Sequence, residues 1–453
     1  MGSVGGVLAE PYNSLVQSAK NGWHLRPKFH ILPPYGWIND PCAPSYDPAT
    51  RLYHLFYQWN PKGSIWGNMS WGHSTSRDLI HWEYEGGIRP ALKQDTDYDK
   101  DGVFTGCFHP TGPAGEDGKL TVFYTSVAHL PFHWTIPYPR NAAGLAVAVS
   151  EDGGKTWIKP ECNPILRGEP QGVQVTGWRD PSLSAWEEMD RVRGEKSLYG
   201  VVNGGIKDCG PTSFLYAVKP DNLLDWRYLE PLLDLPRNFG PSKWWCGDWG
   251  VNLECTNFMS LAGTNSSRNF LITGAEGDRE KDWVKSAPPV SDVPSRDVRW
   301  SLWMSGTPVM TDHGPQLKHD FGGILDHGIF YAASSLEDPV SQRRVVWGWL
   351  PEEDCPESHC VQRRFNGCLS VPRELFLQEL SGVVDTLCTP LSEIPLINFA
   401  NDRFALATRV YTSDQGATCI SLFAEGDEEA ALFEKVEVWE MGDIGLGKEV
   451  LDI

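Results

Sequence analysis

The segment Ser76-Arg77-Asp78-Leu79-Ile80-His81-Trp82 returns, altered in detail, as Ser150-Glu151-Asp152-Gly153-Gly154-Lys155-Thr156-Trp157. A third copy is Lys219-Pro220-Asp221-Asn222-Leu223-Leu224-Asp225-Trp226. Each joins an apolar strand to a polar turn that contains Asp and ends on Trp. The tryptophans stand 75 and 69 residues apart. Strand-like runs fill the intervals: Leu52 to Trp59, Val103 to Phe108, Leu120 to Val127, Leu145 to Val149, Leu198 to Val202 and Ser213 to Val218. A repeat of about four short strands closed by an aromatic turn is the signature of a β-propeller. A period of about 70 residues between His30 and Arg373 leaves room for five blades. Long runs of helical period are missing, which argues against a (β/α)8 barrel and leaves a β-sandwich with chance Trp turns as the rival.

Composition agrees with an all-β chain. Of 453 residues, 45 are Gly, 34 Pro and 20 Trp, a mixture suited to many turns and to surfaces that stack on flat rings. A net charge of −20 without a basic block repels phosphate backbones and anionic headgroups, so nucleic acid and membrane surfaces are not expected partners. No stretch approaches the roughly 20 apolar residues of a membrane-spanning helix. Met1 to Arg26 lacks a basic region followed by an apolar core, so a cytoplasmic protein is expected, with secretion after removal of a leader as the alternative. The eleven cysteines contain no Cys-x-x-Cys pair and read as mostly buried free thiols. No metal or cofactor is expected, and the oligomeric state, homo-oligomer included, stays open. After Val371-Pro372-Arg373-Glu374-Leu375 the texture changes: Arg403 to Tyr411 alternates like a strand, and Glu425 to Glu440 is acidic. The expected organisation is an N-terminal extension (1–27), a five-bladed β-propeller (28–375), and a linker with a partial β-sandwich domain (376–453).

A propeller gathers one inner strand from each blade around a central funnel, so residues spaced by whole blades meet at the axis. Three carboxylates in aromatic, Gly- and Pro-punctuated settings have that spacing: Asp40 in Trp37-Ile38-Asn39-Asp40-Pro41, Asp180 in Trp178-Arg179-Asp180-Pro181, and Glu254 in Asn252-Leu253-Glu254-Cys255. Their separations of 140 and 74 residues match two blades and one blade, which places them at about the same height on blades one, three and four. Paired carboxylates serve acetal hydrolysis: one stays ionised as nucleophile, and the other, its pKa raised, protonates the leaving oxygen.

These three motifs resemble the signature motifs of glycoside hydrolase family 32, the β-fructofuranosidases: invertases, inulinases, levanases and fungal fructosyltransferases. Leu55-Phe56-Tyr57-Gln58-Trp59-Asn60-Pro61, Trp66 to His73, Phe104-Thr105-Gly106 and Arg344 to Trp349 resemble further family segments, so the likeness covers roughly residues 28 to 375. It implies a five-bladed catalytic propeller with Asp40 as nucleophile at C2 of a β-fructofuranosyl unit. It further implies Glu254 as general acid and base, and Asp180 as the residue that holds fructose hydroxyls in the transition state beside Arg179. Asn39, Gln58, Trp66, Phe104 and Thr105 would form the fructose pocket, and Glu276 the glucose side. Cys42 after Asp-Pro resembles fungal fructosyltransferases and inulinases, and the segment Val127 to Tyr138 resembles the fungal fructosyltransferase branch. The implied substrate is sucrose or a short fructo-oligosaccharide, cleaved with retention and with transfer at high sucrose. An inulinase- or levanase-type fructan hydrolase and a non-catalytic carbohydrate-binding propeller are the alternatives. A protein-interaction propeller would repeat every ~40–45 residues instead.

Overall fold

The computed structural model describes residues 26–390, apart from 88, 243–245, 264–265, 278–298, 354 and 381–382, together with 398–400 and 404–406. Residues 1–25 of the expected N-terminal extension, the acidic segment, and most of the last alternating strand lie outside these residues.

Five antiparallel sheets follow one another along the chain. Blade one holds β1 (Gly36–Asp47), β2 (Leu52–Asn60), β3 (Ser70–Ser76) and β4 (Trp82–Tyr84). Blade two holds β5 (Gly102–His109), β6 (Leu120–Val127) and β7 (Ala143–Ser150), its fourth strand reduced to two isolated bridges, Val149 with Ile158 and Leu145 with Leu166. Blade three is β8 (Val175–Ala185), β9 (Leu198–Ile206), β10 (Gly210–Lys219) and β11 (Asn222–Pro231), with a short helix α1 (Glu187–Arg193) between its first two strands. Blade four is β12 (Asn252–Ala262), β13 (Ser267–Glu276), β14 (Arg299–Met310) and β15 (Pro315–Asp326). Blade five begins with β16 (Tyr331–Glu337) and β17 (Arg344–Leu350). After helix α2 (Glu357–Arg363) come the two-residue strands β18 (Phe365–Asn366) and β19 (Cys368–Leu369). Its outer strands are β20 (Arg373–Leu380) and β21 (Val383–Pro390), so this sheet runs past the boundary expected at residue 375. Beyond it, β22 (Asn398–Ala400) pairs with β23 (Phe404–Leu406).

The middle strands are nearly continuous apolar runs because both of their faces are covered. Successive side chains of a strand point to opposite faces, and here they divide between the two neighbouring blades. Leu55, Tyr57 and Trp59 of β2 pack with Val345 and Trp347 of blade five. Phe56, between them, packs with Val122 and Tyr124 of blade two. Phe123 of β6 joins Val202, Phe214 and Trp226 of blade three. Val201 and Leu215 meet Leu271 and Met304 of blade four, while Phe270 and Ile272 meet Phe330 and Val346 of blade five. The core is thus five wedges between blades. The ring closes where β18 pairs in parallel with β1, Gly36 opposite Phe365 and Trp37 opposite Asn366.

All three repeated Trp turns anchor alike. The indole N–H of Trp82 donates to the Leu79 carbonyl (3.0 Å), that of Trp157 to Gly154 (3.0 Å) and that of Trp226 to Leu223 (3.1 Å). Asp78 and Asp152 accept backbone N–H groups of their own turns, the local chemistry for which Asp is favoured there.

Candidate active site

Each innermost strand carries a β-bulge at one level of the ring. Two residues on the inner strand oppose one on its partner between Ile38 and Pro41, Val103 and Gly106, Arg179 and Ser182, Glu254 and Asn257, and Tyr331 and Ser334. Asp180 (φ 61°), Cys255 (φ 51°) and Ala332 (φ 51°) take left-handed backbone there, a conformation costly for residues with a β-carbon and concentrated at functional sites. Bulges bend a strand and re-aim its side chains, and these turn polar groups toward the axis.

The register corrects the expectation of equal height. Counted from the bulge, Glu254 is equivalent to Arg179 and Tyr331, Asp180 to Asn39 and Phe104, and Asp40 to Thr105. The three carboxylates therefore occupy three successive strand positions, a stagger smaller than blade spacing alone resolves.

They nevertheless share one cavity of about 380 Å³, lined among others by Asn39, Gln58, Trp66, Phe104, Arg179 and Glu276. One Asp40 oxygen accepts from Gln58 Nε2 (3.0 Å) and Thr105 Oγ1 (2.5 Å). The Cys255 thiol donates toward Asp40 (3.6 Å) and Asp180 (3.7 Å). The Asp180 backbone is fixed by Thr125 Oγ1, which accepts its N–H (2.7 Å), and by Asn203, which donates to its carbonyl (2.6 Å). Glu254 accepts a forked pair from Arg179, Nε at 3.0 Å and Nη2 at 2.5 Å, on one oxygen and Tyr331 O–H (2.6 Å) on the other. The same Arg179 reaches Glu276 (2.6 Å), which Asn252 also contacts (2.8 Å).

One expected pocket residue sits differently, and another lies at the rim. Thr105 bonds Asp40 from behind, lining a small axial cavity beneath the funnel. Trp66 is 48% exposed at the rim, edge-on to Phe104, and so is no core residue. Asn39 accepts the Trp37 indole N–H, and Cys42 donates its thiol to the Asp40 carbonyl (3.3 Å). Gln58 Oε1 is buried and accepts no hydrogen bond. Tyr331, Arg299 and Glu353 line the funnel without having been singled out. Tyr331 lies 77 residues after Glu254, so the blade-spacing argument that joined the carboxylates reaches it as well; Arg299 and Glu353 carry no such signal.

The electrostatic shifts run against the expected division between an ionised Asp40 and a protonated Glu254. Burial lifts Asp40 above the ordinary carboxylate range despite the Thr105 hydrogen bond, helped by the charge of Glu254. Burial also lifts Asp180 well above its usual value, outweighing Arg179. Burial pushes Glu254 upward too, but Arg179, Tyr331 and Arg299 outweigh it and hold the carboxyl below its usual value. Glu276 is raised to about 7 by burial and by the charge of Glu254. Carboxyls that share one guanidinium in a buried site titrate as a unit. Among the described residues, no group of three or more His, Cys, Asp or Glu could hold a metal ion.

The family model for the glycosyl hydrolases family 32 N-terminal domain matches residues 30–386. The chain is 29% identical to the acid beta-fructofuranosidase of Solanum lycopersicum over 371 residues, covering 82% of this chain and 52% of that protein. It spans about half the length of the curated relatives it matches. The Aspergillus kawachii beta-fructofuranosidase complexed with glycerol is similar in structure, with a TM-score of 0.67 and 28% identity over 80% of this chain and 59% of that one. The fructosyltransferase from A. japonicus gives a TM-score of 0.66 and 26% identity, over 80% and 66% of the two chains.

Proposed function

The chain belongs to glycosyl hydrolase family 32, and from that membership and the funnel's geometry we propose a retaining β-fructofuranosidase. It cleaves sucrose and short fructo-oligosaccharides and transfers fructosyl groups at high sucrose. The observation that carries this reading is the gathering of Asp40, Asp180 and Glu254 in one funnel with different hydrogen-bond partners. The similarity to beta-fructofuranosidases and to a fructosyltransferase supports the substrate class.

In the first step the Asp40 carboxylate attacks C2 of the fructosyl unit, the C2–O bond to the leaving sugar breaks, and the Glu254 proton passes to the leaving oxygen. In the second, Glu254 takes a proton from water or a sugar hydroxyl as that oxygen attacks C2, and the bond to Asp40 breaks. Thr105 and Gln58 hold the Asp40 carboxylate in place. Asp180 holds fructose hydroxyls as positive charge develops, and the orphaned Gln58 Oε1 is an acceptor that another hydroxyl satisfies.

Glu254 and Glu276 share the Arg179 guanidinium, so the proton that Glu254 passes to the leaving oxygen belongs to the pair as a unit.

The test is glucose release from sucrose, with β-configured fructose as the first product by NMR. An inverted product, or no turnover of any fructoside, overturns the reading. Products from concentrated sucrose separate the branches: equal glucose and fructose for hydrolysis, kestose-type oligosaccharides with excess glucose for transfer.

A further inference from the structure

Glu276 ends β13, and directly across the sheet from it Arg299 begins β14. The backbone register thus plants Arg299 beside the carboxyl pair, and its side chain lines the funnel. Its guanidinium carbon lies 5.6 Å from the centre of the Tyr331 ring and 5.8 Å from that of Trp349, within reach of both ring faces. Tyr331 in turn gives its O–H to Glu254 (2.6 Å). Arg299 Nη1 donates to Glu353 (2.5 Å), and the two side chains are only 24% and 22% exposed, so water screens them in part. Glu353 is no loose surface acid. Its neighbour Glu352 is buried and accepts the Gly367 N–H (2.8 Å) and Arg363 Nη1 (3.1 Å), which ties the segment to the seam where the ring closes.

Glu254 therefore meets two guanidiniums: Arg179 of β8, which bonds it directly, and Arg299, which reaches it through Tyr331. The other charged or titratable groups around Glu254 are Glu276 of β13, Asp180 of β8, Asp40 of β1 and the Cys255 thiol. Those around Arg299 are Glu353, Tyr331, Glu254 and Glu276. Two uncompensated cations would hold Glu254 ionised and deny the leaving oxygen its proton. Glu353 offsets the second.

We propose that Arg299 is a positioning residue of the catalytic centre and Glu353 its counterweight. The guanidinium keeps Tyr331 turned to Glu254 and adds positive charge there, and Glu353 limits how much of that charge Glu254 feels. The proposal rests on the fructosidase reading above. Arg299 helps to hold Glu254 below its usual value and also works to lower Glu276, so both members of the pair respond in one direction. Removing a cation near a carboxyl raises its pKa, and removing an anion lowers it. Truncating the two partners of this one ion pair therefore moves one titration in opposite directions, which loss of a merely structural bridge does not do.

The experiment is the pH dependence of kcat/KM for sucrose in wild type, Arg299→Gln, Arg299→Lys and Glu353→Gln, a profile that reports the ionisations of the free enzyme. It is paired with carbon-13 carboxyl NMR titration of glutamate-labelled protein, the Glu254 signal being assigned with Glu254→Gln. The alkaline limb marks loss of the proton that Glu254 delivers. Arg299→Gln should move the limb and the Glu254 titration upward by about 0.5 pH unit, roughly threefold in rate at a fixed pH on the limb. Arg299→Lys should return both toward wild type, and Glu353→Gln should move both downward. Shifts of the same sign in Arg299→Gln and Glu353→Gln, or none in either, overturn the proposal. A rise in KM with the limb unmoved overturns it also, because Arg299 would then be a sugar contact. Should Arg299→Gln fail to fold, the downward shift in Glu353→Gln decides. Where wild type turns over no fructoside, the fructosidase reading fails, and the carboxyl titration decides this proposal on the same signs.

Discussion

The outer turns and the inner strands of the blades are built on opposite plans. At the turns one anchor is repeated: in three blades an indole N–H donates to the carbonyl three residues back, whatever the tip looks like. Along the inner strands the backbone device is repeated in all five blades, but no two blades carry the same pair of side chains on it. The bulges hold Asn39-Asp40, Phe104-Thr105, Asp180-Pro181, Cys255-Thr256 and Ala332-Ala333. Repetition of side chains serves the fold; repetition of backbone with varied side chains serves chemistry. The two regions should therefore fail separately when mutated.

The sharpest break is Asp40→Ala, which should cut fructoside turnover by about 10⁴-fold while thermal unfolding stays near that of wild type. A large drop in melting temperature would show that the funnel is also structural. Next, Trp226→Ala removes a buried ring and its anchor and should cost roughly 3–5 kcal/mol by denaturant unfolding, with kcat of the surviving folded protein unchanged.

The packing between blades and the funnel also answer pH with opposite signs. His54 and His73 are stacked between blades one and two, their nitrogens 3.0 Å apart. Burial lowers His54 to about 4. A base held neutral on folding contributes stability that is complete above its unfolded pKa near 6.5 and lost as pH falls toward 4, worth about 3 kcal/mol. Glu276, raised to about 7, behaves oppositely: the fold favours its protonated form, so stability falls as pH rises from about 4.5 through 7. Glu276→Gln should raise the melting temperature at pH 8 but hardly at pH 4, and His54→Gln should flatten the loss between pH 6.5 and 4. Parallel curves for wild type and both variants would refute the opposition. The smallest effect belongs to Tyr331→Phe. Loss of the O–H donor to ionised Glu254 should move the alkaline limb of the pH–rate profile upward by about one unit, with stability little changed.

How much of this was legible follows the same division. The Asp-to-Trp turns are local: Asp78 and Asp152 accept N–H groups of their own turns and each Trp fills the wedge beside it, so seven or eight residues carry the whole signal. The strand runs were legible for the same reason, since both faces of β2, β6 and β17 meet apolar neighbours. The carboxylates were legible by blade spacing, but their stagger was not. A bulge is a matter of register between strands, and its five residue pairs follow no common sequence pattern. Arg299 and Glu353 come together at 2.5 Å from blade four and the segment after β17, a tertiary encounter with no local trace. The protonation order was likewise hidden, because it depends on Arg179 serving Glu254 and Glu276 together.

The seam of the ring bears on how the molecule comes into being. The strand that carries Asp40 is bordered by a segment made some 330 positions later, through Gly36 to the Arg364 carbonyl and through Leu369 to Ile31. A chain emerging from the ribosome holds all three carboxylates once Glu254 is out, yet the circle that aims them cannot shut before residue 369 follows. Contacts so distant along the chain are slow to form. The funnel therefore cannot be complete before that closing segment has been made.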